Sequence, residues 1–258
     1  MKSLRDRVKA LAEKRARKPV QDVPKTPLEV CIKQWSPALL AHDVTVANKI
    51  EHNKWQPALQ ALCNKPGVDI LEIGSRSVIF GGGQRAVFPQ ANYTGFDIYP
   101  GVGVDVVGDA HMLSSYFTKK FDLILSLAVF EHLAMPWIAA QEIAKLLKVG
   151  GYVFIETHYS YSSHERPWHF FQFSEEALKV LFSEKMGFRC IEAGVSNPIV
   201  GFFSEYASPY LRYQPVGGLY CHSAYLGQKI ADMPFSWDSV RDVAEWLPTH
   251  YPKKTENP

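Results

Sequence analysis

The chain has 258 residues, 47% of them hydrophobic and 21% charged, with a formal net charge of +2. This describes an ordinary soluble globular protein of one large domain, or of one domain with extensions. No apolar run approaches the ~18 residues of a membrane span, and the charged start MKSLRDRVKALAEKRARK has no apolar stretch of a secretory leader.

Residues 1–20 carry eight Lys or Arg against Asp6 and Glu13, so the remainder is slightly acidic. This segment reads as a polar helix. No aromatic side chain interleaves with its charges, which argues against a nucleic-acid partner. Pro19, Pro24 and Pro27 mark a linker. Residues 28–64 read as helical, with apolar positions at Leu39, Leu40, Val44, Ala47, Ile50, Leu59 and Leu62, until Pro66-Gly67 breaks the pattern. Cys31, Cys63, Cys190 and Cys221 stand singly, with no Cys-x-x-Cys pair. They read as buried free thiols of a reducing compartment, and a cytoplasmic chain is expected.

An alternation of strands and helices begins at Val68. VDILEIG, YTGFDI, VDVVGD and FDLILSLAVF predict strands at 68–74, 93–98, 104–109 and 121–130. Residues 137–148 predict a helix closed by Gly150-Gly151, and 151–158 a fifth strand. A second helix opens at the N-cap Ser174 and ends at Gly187. FRCIEAGV and LYCHSAYLGQKI supply the last two strands. Continuous apolar strands separated by helices indicate an α/β fold: a Rossmann-like, doubly wound, seven-stranded and mostly parallel sheet with helices on both faces. The expected division is an N-terminal basic helix, linker and helical cap at 1–64, a catalytic domain at 65–230 with an insertion at about 197–218, and a tail at 231–258. The insertion, rich in Pro, Gly and aromatics, is a lid candidate.

In such sheets ligands sit beyond the carboxyl ends of the strands. Those ends carry Glu72 and Gly74, then Asp97, then Asp109, then Ser126 to Phe130, then His158. A carboxylate after the second strand can accept both ribose hydroxyls, and one after the third can accept from an adenine amino group. The dinucleotide fingerprint Gly-x-Gly-x-x-Gly fails, because Arg76 and Ile79 stand where its second and third glycines belong. A glycine cluster follows only at Gly81 to Gly83. A ligand with adenosine but no pyrophosphate would ask less of this turn.

Five segments in order then resemble the class I S-adenosylmethionine-dependent methyltransferases: LEIGS, GFDI, VVGDAHML, FDLILSLAVFEHL and LLKVGGYVFIETH. The resemblance covers residues 66–230. It is closest to a branch in which Leu-Glu-Ile-Gly-Ser-Arg replaces the Gly-x-Gly core. That branch also carries the run from Asp97 to Val107 and is linked to sugar, glycolipid and secondary-metabolite modification. The resemblance implies S-adenosylmethionine as cofactor. Glu72, Gly74, Ser75 and Gly81 would shape the turn near its methionine end. Asp97 would bind ribose, Ile98 would pack on adenine, Asp109 and Ala110 would meet the adenine ring, and Ser126 and Leu127 would line the cleft.

The acceptor side falls to His132 and to the loop HYSYSSHERPWHFFQFS, which holds His158, His164, Glu165 and His169. Relatives place a His-Glu-x-Pro-like loop there, matched here by His164 to Pro167. His164, His169 and His132 are therefore the catalytic candidates, as bases for a hydroxyl acceptor. The spacing of these histidines fits no helical metal pair, and no metal is expected. The acceptor is read as a small molecule or glycan, with oxygen favoured over nitrogen, and a homodimer as one assembly to test. Three rivals stand beside this reading: a non-catalytic partner module, motivated by the altered turn; a nicotinamide oxidoreductase; and a nucleic-acid methyltransferase, whose Pro-Pro-Tyr-type motif is missing after the fourth strand.

Overall fold

The computed structural model describes residues 44–77 and 84–237. The expected basic helix at 1–20, the linker, residues 28–43 of the 28–64 segment, Cys31, Gly81 to Gly83 and the tail beyond 237 lie outside the described residues.

Seven strands form one sheet in the order β3-β2-β1-β4-β5-β9-β6. They are β1 (Asp69–Ile73), β2 (Asn92–Asp97), β3 (Val106–Val107), β4 (Phe121–Leu127), β5 (Leu147–His158), β6 (Phe188–Pro198) and β9 (Tyr220–Lys229). β9 runs antiparallel to both β5 and β6, and the pairings among β1 to β5 are parallel. The expected Rossmann-like sheet is present. Between β6 and β9 lies a small second sheet of β7 (Gly201–Phe202) and β8 (Pro215–Val216), with Tyr206, Tyr210 and Tyr213 exposed around it.

Strand periodicity divides the core in two. Ile70, Leu123, Leu125 and Phe154 pack with Trp55, Leu59 and Cys63 of helix α1 (Trp55–Cys63). Leu71, Ile73, Ile124, Val153 and Ile155 pack with α2 (Pro136–Leu146) and α3 (Glu175–Leu181). Both helices open as their sequences dictate. Pro136 occupies the first turn of α2, where its missing N–H costs nothing. The Ser174 hydroxyl accepts from Ala177 N–H at 3.2 Å, with Glu175 and Glu176 in the first turn of α3.

Several boundaries differ from the sequence expectation, and the second helix, expected to run to Gly187, ends at Leu181. The helix at 28–64 is, among the described residues, only Trp55–Cys63; before it the chain bends, and Val46 bridges to Val195. Gly150-Gly151 does not cap α2. The helix ends at Leu146, and both glycines lie inside β5 at a register shift, with Gly150 at φ +89°. The physical reason is Leu147, which is fully buried and pairs with Phe121, so burial turns the chain into the sheet before the glycines arrive. β3 shrinks to two residues because the Asp105 carboxylate takes over ladder duty, accepting from Gly95 N–H at 2.7 Å. No helix among the described residues is long and apolar enough to cross a membrane.

The turn after β1 is held by β2. Gly74 and Ser75 N–H both donate to Phe96 C=O, at 2.8 and 3.1 Å. A Cβ on Gly95 would lie 2.0 Å from Gly103 O and 2.6 Å from Ser75 Oγ. The nearer neighbour is a backbone oxygen and the other a buried side-chain hydroxyl, so Gly95→Ala should cost about 1–3 kcal/mol as overpacking. The melting temperature should fall by roughly 2–4 °C per kcal/mol. An unchanged melting curve would show that the 99–104 loop lifts freely off the turn.

Candidate active site

The parallel strands aim the β1 turn, Asp97, Asp109 and the residues after β4 and β5 at one edge of the sheet. Gly74 takes φ +84°, and a Cβ there would lie 2.2 Å from Val129 Cγ2, so the β1 and β4 turns touch. Ser75 is buried, and its hydroxyl has no hydrogen-bond partner. Asp97 is 9% exposed and accepts from Arg76 N–H at 3.2 Å and Tyr99 N–H at 2.9 Å. Arg76 Nε lies 3.5 Å from Asp97 Oδ1, and its guanidinium sits 5.5 Å from the centre of the Tyr99 ring. Each carboxylate oxygen can accept twice, so Oδ2, with one donor, keeps capacity for a ligand hydroxyl. Ile98 beside it is 42% exposed.

Glu72 is buried and accepts from the Tyr93 hydroxyl at 2.6 Å. Burial raises its carboxyl above the usual range against the pull of Tyr93. This acid ties β1 to β2. Asp109 opens the turns at Ala110–Tyr116 and accepts from His111 N–H at 2.9 Å and His111 Nδ1 at 2.6 Å. Met135 N–H donates to His111 Nε2 at 3.1 Å, which places the ring proton on Nδ1. Burial works to raise the Asp109 carboxyl, but the bonds from His111 outweigh it and hold it below the usual range. Ala110 is packed into the core. Ser126 is fully buried with an unpartnered hydroxyl, and Leu127 packs toward the α1 face.

The three catalytic candidates come together. The His164 ring lies 4.8 Å from His132 and 4.7 Å from His169, centre to centre. His132 Nδ1–H donates to Trp168 C=O at 2.7 Å and His164 Nδ1–H to Ser162 C=O at 3.0 Å. In its neutral form each ring therefore carries its lone pair on Nε2. His169 Nδ1 accepts from His164 N–H at 3.3 Å. Burial, then the charge of His164 and His132, lowers the His169 ring below its ordinary value.

Sequence reasoning missed the centre of this group. Glu131 is fully buried; its Oε2 accepts from the Thr157 hydroxyl at 2.6 Å, and its Oε1 lies 2.8 Å from His158 Nδ1. Burial pushes the Glu131 carboxyl up, but His158 and Thr157 prevail and hold it below the usual range. His158 continues to His222, 5.7 Å away, which stacks on His52 at 4.0 Å. His52 Nδ1 bonds Glu156 Oε1 at 2.9 Å, a bond that raises the His52 ring above its ordinary value. The sole signal in the sequence was the adjacency of Glu131 to His132. His52 and His222 carried none.

A sequence model of the methyltransferase-domain family matches residues 47–193, more than half of the chain. The chain belongs to that family of enzymes. Among curated proteins none matches. Among solved structures, TehB from Haemophilus influenzae is similar at 15% identity and TM-score 0.44, over 67% of this chain and 61% of TehB. The chain thus spans less than two thirds of that protein. YcgJ from Bacillus subtilis is similar at 17% identity and TM-score 0.47, over 70% of this chain and 100% of YcgJ. A SAM-dependent methyltransferase from Archaeoglobus fulgidus is similar at 17% identity and TM-score 0.46, over 68% and 93%.

Burial, then the charge of His52 and His158, pushes His222 down to about 4. A histidine depressed in the fold takes up its proton in the unfolded chain first, so stability falls as pH drops from 6.5 toward 4. His222→Gln should flatten the pH dependence of unfolding in that window. Denaturant melts at pH 7, 5.5 and 4.5 measure it; parallel slopes for both proteins would refute the assignment.

Proposed function

We propose that this chain transfers a methyl group from S-adenosylmethionine to a hydroxyl of a small molecule or glycan. Family membership supplies methyl transfer. The cofactor reading is supported by Asp97 and Asp109 at successive strand ends beside the β1 turn. The hydroxyl reading is carried by one observation: His132, oriented through Nδ1 by the Trp168 carbonyl, has its Nε2 4.0 Å from the Glu131 carboxylate. A base oriented by a third group and backed by an anion suits proton removal from an alcohol.

The cofactor carries the reactive methyl group, so the chain's tasks are alignment and exclusion of water. Asp97 would take the ribose hydroxyls, Asp109 the adenine edge, and Gly74 and Ser75 would border the methionine portion. S-adenosylmethionine held there would supply the electrophilic methyl carbon, and its transfer to the acceptor oxygen would be balanced by loss of the C–S bond to give S-adenosylhomocysteine. The hydroxyl proton passes to His132 Nε2, where Glu131 stabilises the imidazolium. His164 and His169 form the wall on the acceptor side. The aromatic side chains Tyr161, Trp168, Phe170 and Phe171 of the same loop are exposed and suit a sugar face or an apolar acceptor.

Calorimetric titration with S-adenosylhomocysteine, and with NAD as control, tests the cofactor reading. S-adenosylhomocysteine alone should bind. Asp97→Asn should weaken it tenfold or more, and His132→Gln should leave it within about twofold, since that residue serves the acceptor. Failure of folded protein to bind S-adenosylhomocysteine, with candidate glycans present or not, would favour the partner-module reading.

A further inference from the structure

Six histidines from separate parts of the chain meet at the carboxyl end of β5: His52, His132, His158, His164, His169 and His222. Two groups of donor atoms converge there, each within 4.8 Å: His52, Glu156 and His222, and Glu131, His158 and His164.

Ring geometry separates the two. An imidazole offers its lone pair in the plane of the ring. His52 and His222 stack with an interplanar angle of 13°, so their lone pairs run side by side rather than meet. Their Nδ1 atoms are also taken, by Glu156 at 2.9 Å and by the Asn197 amide at 3.1 Å. The rings of His158 and His164 stand at 81°, an arrangement in which in-plane lone pairs can meet at one point.

The second group also has the supporting contacts of a metal centre. His164 gives Nδ1–H to the Ser162 carbonyl, which leaves Nε2 as the ligating nitrogen. The Thr157 hydroxyl holds one oxygen of Glu131. The Tyr161 ring stacks on His158 at 4.4 Å and fixes its plane. Two buried atoms then lack a regular hydrogen bond. Glu131 Oε1 and His158 Nδ1 are in ion-pair contact at 2.8 Å, and neither has a hydrogen-bond partner. Glu131 is 0% exposed and His158 8%. Buried polar atoms without partners are rare because each costs free energy, and a shared cation would satisfy both.

We propose that Glu131, His158 and His164 bind one first-row divalent transition-metal ion of the zinc type. Two imidazoles and one carboxylate suit such an ion better than magnesium or calcium, which prefer all-oxygen shells. Three protein ligands leave a fourth position for water or a ligand oxygen. His132 Nε2 lies 4.0 Å from Glu131 Oε1. The site does not depend on the methyl-transfer reading. Its ligands come from two separate segments of the chain, Glu131 after β4 and the pair His158 and His164 at and just beyond the end of β5, so sequence spacing gave no helical metal pair.

The full chain, treated with EDTA and dialysed, is titrated with Co2+ and followed by visible d–d absorption, then back-titrated with Zn2+. One saturable site per chain is expected, with cobalt displaced by zinc. His164→Ala should weaken binding at least tenfold. This half-buried residue sits on an exposed loop, so its variant tests the site even where the buried Glu131→Gln fails to fold; circular dichroism checks both. His222→Ala should bind within twofold of the parent. Absence of saturable bands in the parent would overturn the proposal. So would binding unchanged in His164→Ala, or binding lost in His222→Ala while His164→Ala retains it. The titration uses neither cofactor nor acceptor, so its failure leaves the S-adenosylhomocysteine result standing, and the reverse holds as well.

Discussion

The close approach of the β1 turn to β2 and its following loop is the constraint on which the site depends. A methyltransferase-like turn ordinarily thins its own backbone with glycine. Here Ser75 and Arg76 keep their side chains, and the glycines stand opposite them. Gly95 and Gly103 face Ser75, and a Cβ on Gly101 would lie 2.7 Å from Arg76 Cγ. Ser77 N–H closes the contact on Val102 C=O at 3.0 Å. The space that a short turn would leave is moved to the facing loop, and Arg76 is free to pair with Asp97. The run from Asp97 to Val107 and the altered turn are therefore two halves of one packing arrangement.

The second consequence of the sheet lies at its other half. β9 runs against β5, so His222 at its start pairs with His158 at the end of β5. The turns after β4 carry Glu131 to the same place, where Phe170 and Phe171 N–H donate to its backbone carbonyl at 2.8 and 3.2 Å. That backbone clamp explains how an exposed loop of aromatics and histidines is held over a buried carboxylate. Burial acts on both Glu131 and His222, and their partners decide the outcome. Glu131 stays ionised beside His158, while His222, facing imidazoles, gives up its proton early.

Much of the fold was legible because its signals are local. Apolar runs of strand length marked six of the seven strands closely, and Ser174 marked the start of α3 as its capping bond requires. The errors came where burial overrode local preference. Gly150-Gly151 looked like a helix stop, yet Leu147 drew the chain into β5 first. The segment before Trp55 had helical spacing, yet it bends so that His52 reaches Glu156 and Val46 reaches β6. Of the cofactor-side residues, Gly74, Ser75, Asp97, Ile98 and Asp109 gather at the carboxyl edge. Glu72 is instead taken up by Tyr93, and Ala110 by the core.

The sequence by itself determined the α/β alternation, the acids at the strand ends and the family, since periodicity, strand-end chemistry and ordered short motifs are written along the chain. Only the tertiary structure decided which histidines belong together. Glu131 lies after β4, His158 and His164 lie together at and just beyond the end of β5, His52 and His222 lie on two further segments, and no spacing rule joins them. Their meeting is set by strand order, by the reversal of β9 and by the loop clamped on Glu131. These are long-range pairings, and their energy comes from burying surfaces far apart in the chain.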